Sequence, residues 1–389
     1  VFVAAAVVAT SGIYFVTAGS SPAARTQSAV DPVPPVASAL KSVGGTVSGL
    51  LGQPGDNPST GPSNQPQPQP SQSHAPAPAP QPQPNPPSDP GTGGGTGTGA
   101  GGCGVTVKLV PTCSGALWGM ALSVNQVSGL EQKVGRPLTV VKEYEDFTSA
   151  FPSAAEQQLM NSGHTLHFAW TAKLWSNQKA TPSWKDIAAG KDDASVIIPE
   201  AKRLAGINTP FFIDWDHEMD GKTRASWGTP ADYVAAYRHI HAVFDQYGVD
   251  KAVWAWVPTG WKGNYNKVAA YYPGNDVVDW IGWDPYNGSV NGWQTPQQVF
   301  QTFYDFVNNG GLGAGAESKP KMLGEYGSVA DPNNSGRRAQ WLEQVPAAVK
   351  AMPQLRAVEY WNANEFALNN TDLTGYAQAG HSAYSQMRG

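Results

Sequence analysis

The chain has 389 residues, of which 14% are charged, and a formal net charge of -5. It has no dense run of Lys or Arg, so it lacks the basic face that neutralises phosphates, and nucleic acid is excluded as a partner. A surface poor in charge, with 14 Trp and 14 Tyr in the chain, suits a neutral ligand whose C–H faces stack on aromatic rings, and polysaccharide fits that description.

Residues 1–20 open on an uncharged apolar or small-residue run, VFVAAAVVATSGIYFVTA, which reads as an export signal or a membrane anchor. Small residues near Ala18 suit cleavage, and the length also suits a tether; both readings stand. Residues 21–102 form a linker, with Gln-Pro and Ala-Pro repeats followed by a Gly/Thr run. Such a segment has almost nothing apolar to bury and cannot offset its ordering entropy, so it acts as spacer and joint. All the tryptophans lie between Trp118 and Trp361, which puts the folded domain at 103–389, a length suited to one (β/α)8 barrel. Cys103 and Cys113 stand at its entrance and are expected to pair in an oxidising compartment. The location expected from these features is outside the cell.

From Ala116 short apolar runs alternate with helical patterns. Eight strands are predicted, at 116–122, 138–144, 164–170, 210–216, 252–257, 277–283, 321–326 and 355–361. Among the helices between them, one starts at a capping Thr229 with Pro230 in its first turn, and carries Tyr233, Tyr237, Ile240, Phe244 and Tyr247 at helical spacing. A second has the capping-box pattern Thr295 to Gln298 before Val299, Phe303 and Phe306. Strictly alternating strands and helices imply a parallel (β/α)8 TIM barrel with its active site at the C-terminal strand ends.

Two carboxylates fall at such ends: Glu218 after the fourth strand, in FFIDWDHEMDG, and Glu325 at the end of the seventh, in KMLGEYG. Glycoside hydrolysis needs this pairing, one acid to protonate the leaving oxygen and one carboxylate to attack or to activate water. Either glutamate alone is equally well read as a solvated carboxylate at a turn; their placement on strands four and seven is what joins them.

The segments HEMDG (217–221), TPADYVAAYRHIHAVF (229–244), VWAWVP (253–258), YYPGNDVVDWIGWDPYN (271–287) and LGEYGS (323–328) resemble glycoside hydrolase family 26, with WKDIAAGKDD (184–193) similar to its Trp-rich entry to the third helix. The resemblance spans about residues 115–365 and implies a retaining, β-mannanase-like enzyme acting as a monomer, with Glu218 as acid/base and Glu325 as nucleophile. It also implies that His217 positions the acid/base and the sugar, and that Tyr286 hydrogen-bonds the nucleophile. Trp361 would floor the −1 subsite and Trp227 would lie near the +1 side. Three positions depart from the pattern: Thr171 stands where the mannanases carry His, Asp214 where they carry Arg, and Asp220 where they carry Asn. These changes leave the substrate open among β-mannan, mixed-linkage β-glucan and β-1,3-xylan.

Other chemistries find no support. HEMDG has Gly221 where a zinc peptidase needs its second His, and no G-x-S-x-G motif is present. Two cysteines ten apart without a neighbouring His form no zinc site, and no metal or cofactor is expected. The non-enzyme alternative is a surface barrel that binds glycan without cleaving it. The pair of glutamates together with Tyr286 argues against it, because binding alone needs no such pair.

Overall fold

The structure, a computed structural model, describes residues 104–178, 181–288, 292–382 and 385–386. The expected signal or anchor (1–20), the linker (21–102) and Cys103 lie outside the described residues. Cys113 is disulfide-bonded.

Eight parallel strands run β1 (Ala116–Ala121), β2 (Val140–Glu145), β3 (Thr165–Trp170), β4 (Phe211–Trp215), β5 (Ala252–Trp256), β6 (Trp280–Trp283), β7 (Lys321–Ser328) and β8 (Leu355–Trp361). Each pairs with the next, and β8 returns to pair with β1, from Leu117 opposite Ala357 to Ala121 opposite Trp361, so the sheet closes. This is the predicted (β/α)8 barrel with helices between the strands. The sixth strand starts later than its apolar run, because Val277 and Val278 bond back to Gly274 as a turn.

Strand alternation sorts the side chains into two populations. Leu117, Val140, Phe212, Val253, Ala255, Trp280, Met322 and Ala357 form one buried cluster filling the barrel, while Leu166, Phe168, Phe211, Ile213 and Trp254 belong to a larger cluster beneath the helices. Both helix starts are as predicted: Thr229 accepts from the Asp232 amide before helix Pro230–Gln246, and Thr295 accepts from Gln298 before helix Pro296–Asn308. The first buries Tyr233, Tyr237, Ile240 and Phe244, and its two tyrosine hydroxyls donate to the Trp215 and Ala255 carbonyls of the sheet. The buried face of the second is Phe300, Phe303, Tyr304 and Val307, with Val299 and Phe306 only partly covered. At roughly 1.5–3 kcal/mol per fully buried large side chain, these faces hold the helices against the sheet.

The end of the barrel at the strand N-termini is closed by the chain preceding β1. Leu109 packs into the interior cluster, Trp280 Nε1 donates to the Lys108 carbonyl at 2.8 Å, and Lys108 Nζ pairs with Asp279 at 2.8 Å. The opposite end carries the carboxylates.

Candidate active site

Beyond β4 the chain makes a tight bend in which Asp216 and Glu218 both adopt positive φ, 55° and 54°. For residues other than glycine this costs on the order of 1–3 kcal/mol each, so the surroundings must enforce it. They do so through two buried aspartates. Asp216 accepts from Thr171 Oγ1 at 3.0 Å, the Ala172 amide at 3.3 Å and Trp184 Nε1 at 2.5 Å, tying the bend to the end of β3. Asp220 accepts from the Thr259 amide at 2.8 Å, Thr259 Oγ1 at 2.7 Å and Asn264 Nδ2 at 2.7 Å, tying it to the loop after β5. Between these anchors the Glu218 amide donates to the Val257 carbonyl at 2.7 Å, and its half-buried carboxyl stands at the barrel mouth.

Glu325 reaches the same mouth through an irregularity in β7. The pairing of β7 with β8 shifts register between Leu323 and Tyr326. A bulge of this kind re-aims side chains: Tyr326 packs outward against Phe300 and Trp341, while Glu325 turns inward. Tyr144 Oη donates to Glu325 Oε1 at 2.6 Å and Tyr286 Oη donates to Oε2. Lys142 Nζ lies 3.5 Å and His217 Nε2 3.8 Å from Oε1.

The two carboxyls are driven apart in acidity. Burial, then the nearby negative charges of Glu325 and Asp220, pushes Glu218 up to about 8. Burial would raise Glu325 as well, but Lys142, then His217 and the hydrogen bonds from Tyr144 and Tyr286, outweigh it and hold Glu325 below the usual carboxylate range. Near pH 7 one carboxyl therefore keeps its proton while the other is ionised, the division of roles that a paired acid and nucleophile requires. His217 is pushed down to about 4, chiefly by burial, and is neutral there.

Of the other residues predicted for the site, Trp361 ends β8 with its ring 6.0 Å from that of Tyr286, and both pack with Phe366 beside Glu325. Trp227 stands further out, edge-on to Trp184, with the Arg224 guanidinium 4.3 Å over its ring. Among the described residues no group of three or more His, Cys, Asp or Glu side chains is placed to hold a metal.

Two departures take on meaning in three dimensions. The Thr171 hydroxyl is buried against Asp216 and is not free to read a sugar hydroxyl. Asp214 lies beneath the site at 1% exposure, with Lys142 Nζ at 3.5 Å, His167 Nε2 at 3.2 Å and His217 Nδ1 at 3.8 Å. Sequence reasoning missed Lys142 and Tyr144. Their signal was available in β2, where Val140, Lys142 and Tyr144 share one face of the strand and a Lys interrupts an apolar run.

Residues 176–343 match a family model described as glycosyl hydrolase family 26. The chain is 24% identical over 253 residues to endoglucanase H of Acetivibrio thermocellus, an alignment that covers 61% of this chain and 26% of that much longer protein. Among solved structures it is similar to the catalytic domain of the Bacillus sp. JAMB-750 GH26 endo-β-1,4-mannanase, with TM-score 0.53 and 17% identity over 70% of this chain and 87% of that one. It is also similar to a double mutant of the Cellulomonas fimi endo-β-1,4-mannanase, with TM-score 0.52 and 19% identity over 70% and 72% of the two chains. A GH26 β-mannanase from Bacteroides ovatus gives TM-score 0.52 and 14% identity over 71% and 91%. At these identities the structural likenesses bear on the barrel fold alone.

Proposed function

We propose, from the premise that these matches support glycoside hydrolase family 26 as the family of this chain, that it is a retaining hydrolase of a neutral β-linked polysaccharide. The observation that carries the reading is the split between Glu218, in the bend after β4, and Glu325, within β7, one carboxyl kept protonated and the other ionised. In the first step Glu218 gives its proton to the glycosidic oxygen as Glu325 attacks the anomeric carbon, the C–O bond breaks, and a glycosyl ester forms on Glu325. In the second, Glu218, now a carboxylate, takes a proton from water as that water attacks the same carbon and Glu325 leaves. Tyr144 and Tyr286 hold the two oxygens of Glu325, His217 stands between Glu325 and Asp214, and Trp361 offers the sugar an apolar face. Trp227 serves the leaving-group side less directly, since Arg224 already covers one face of its ring.

The substrate backbone is β-linked glucose, mannose or xylose. A relative named an endoglucanase supports the glucose end of that range. Within it, plain β-1,4-mannan is not strongly preferred, because the Thr171 hydroxyl is engaged by Asp216 and offers no donor for an axial hydroxyl. Action outside the cell is supported by the disulfide at Cys113 and by the apolar run of residues 1–20.

The test is reducing-sugar release from mannan, glucomannan, mixed-linkage β-glucan and β-1,3-xylan, with the anomer first formed on the best substrate followed by proton NMR. The β-anomer is expected first. An inverted anomer would overturn the nucleophile assignment, and no turnover on any β-glycan would overturn the activity.

A further inference from the structure

The buried charges below the carboxylate pair form a chain across the barrel interior, contributed by five strands. Glu359 on β8 meets His167 Nδ1 on β3 at 2.9 Å, and His167 Nε2 lies 3.2 Å from Asp214 on β4. Asp214 is 3.5 Å from Lys142 Nζ on β2, and Lys142 Nζ is 3.5 Å from Glu325 Oε1 on β7. None of the five side chains is more than 4% exposed. The ammonium also donates to the Gly324 carbonyl at 3.2 Å, which fixes its position next to the residue it faces.

We propose that Lys142 is the positioning cation of Glu325: held from below by Asp214, it keeps the attacking carboxylate ionised and aimed at the barrel mouth. This rests on the reading of Glu325 as nucleophile. The alternative is that Lys142 merely neutralises Asp214. Geometry speaks against that, since the ammonium stands at equal distance from both carboxylates and is anchored to the β7 backbone. Burial would lower His167, but Glu359 at Nδ1 and Asp214 at Nε2 raise it above the ordinary histidine value. Asp214 thus has His167 beside it as well as Lys142, while Glu325 is the member of the network that turns toward the mouth. A buried ammonium facing a single carboxylate would be a structural ion pair. Shared between two, it also supports the one that turns toward the mouth.

The groups facing Lys142 and Glu325 are Tyr144 from β2, His167 from β3, Asp214 with His217 and Glu218 from β4 and its bend, Asp284 and Tyr286 beyond β6, and Glu359 from β8. Burial and the charge of Glu325 push Asp284 well above the carboxylate range.

The test compares the pH profiles of kcat/KM for the full chain, Lys142→Met, Asp214→Asn and the double variant, on the glycan that gives the highest turnover. Loss of the ammonium is expected to move the acid limb up by about one pH unit or more, a tenfold or greater loss of activity at the acid side. KM at the optimum should change little, because Lys142 does not touch the sugar. Should Lys142→Met strand Asp214 and fail to fold, the double variant removes both charges together and is compared with Asp214→Asn instead. An acid limb that stays in place in either comparison, with cooperative melting retained, overturns the proposal. Glu325→Gln serves as the control: if it still turns over, the nucleophile reading has failed, whereas an inactive Glu325→Gln with an unmoved limb in the Lys142 variants fails this inference alone.

Discussion

Replacing the two tyrosines that grip Glu325 tests the site from the side of the hydroxyls. Tyr144→Phe and Tyr286→Phe each remove one phenolic donor while keeping the ring, and the rings are what pack with Trp361 and Phe366. A hydrogen bond to an ionised group contributes about 1.5–3 kcal/mol, and one pKa unit corresponds to about 1.4 kcal/mol, so each loss should raise Glu325 by about 1–2 units. The sign follows from its role: turnover needs Glu325 ionised, its acidity is at present strengthened by these donors, and weakening it shifts the acid limb of kcat/KM upward. The alkaline limb belongs to Glu218, which titrates at about 8 beside an already ionised Glu325, and should stay where it is. Each variant is therefore expected to give a bell narrowed from the acid side only. Because both hydroxyls serve one carboxylate, the double variant should shift by less than the sum of the single shifts. The assay is kcat/KM against pH on the best substrate, with thermal melting to verify the fold. An acid limb unmoved in both single variants, or an alkaline limb displaced as far as the acid one, would refute the reasoning.

Glu218→Gln should lose about a hundredfold or more in turnover on natural glycan, and turnover within about tenfold of the parent would reject it as the acid. The same variant should melt higher than the parent near neutral pH. Glu218 has its folded pKa raised to about 8, above the unfolded value, so stability falls as pH rises between about 4.5 and 8; Gln removes that dependence, and the difference should vanish at acid pH. Glu325→Gln should be equally inactive yet should lower the Glu218 pKa by deleting a neighbouring negative charge, measurable by carbon-13 NMR of the labelled carboxyl; an unchanged value would mean that the two carboxyls do not interact. Protein beginning at Gly102 should be monomeric by light scattering and as active as the full chain, and loss of cooperative melting would show that the preceding segment belongs to the fold.

The alternation of strands and helices, the capping residues Thr229 and Thr295, and the two glutamates at strand ends were all legible in the sequence, because each depends on local spacing. A strand's period of two and a helix's period of 3.6 are written in neighbouring residues, and a capping box spans four. Tyr286 and Trp361 were named by the family resemblance, not by local spacing. What local spacing could not disclose is which buried charge faces which. Asp214, four positions before Glu218, was legible only as a departure from the family's Arg; strand alternation and barrel closure turn it inward, onto Lys142 and His167. Lys142 is 183 residues from Glu325 in the chain and 3.5 Å from it in space. The register shift in β7 that points Glu325 into the mouth leaves no mark on KMLGEYG that periodicity would detect. Composition and local pattern thus determined the barrel and its two carboxyls. The acidity of those carboxyls was decided only when closure of the sheet brought charges from β2, β3, β4, β7 and β8 into one desolvated interior, where a few ångströms set each proton's affinity.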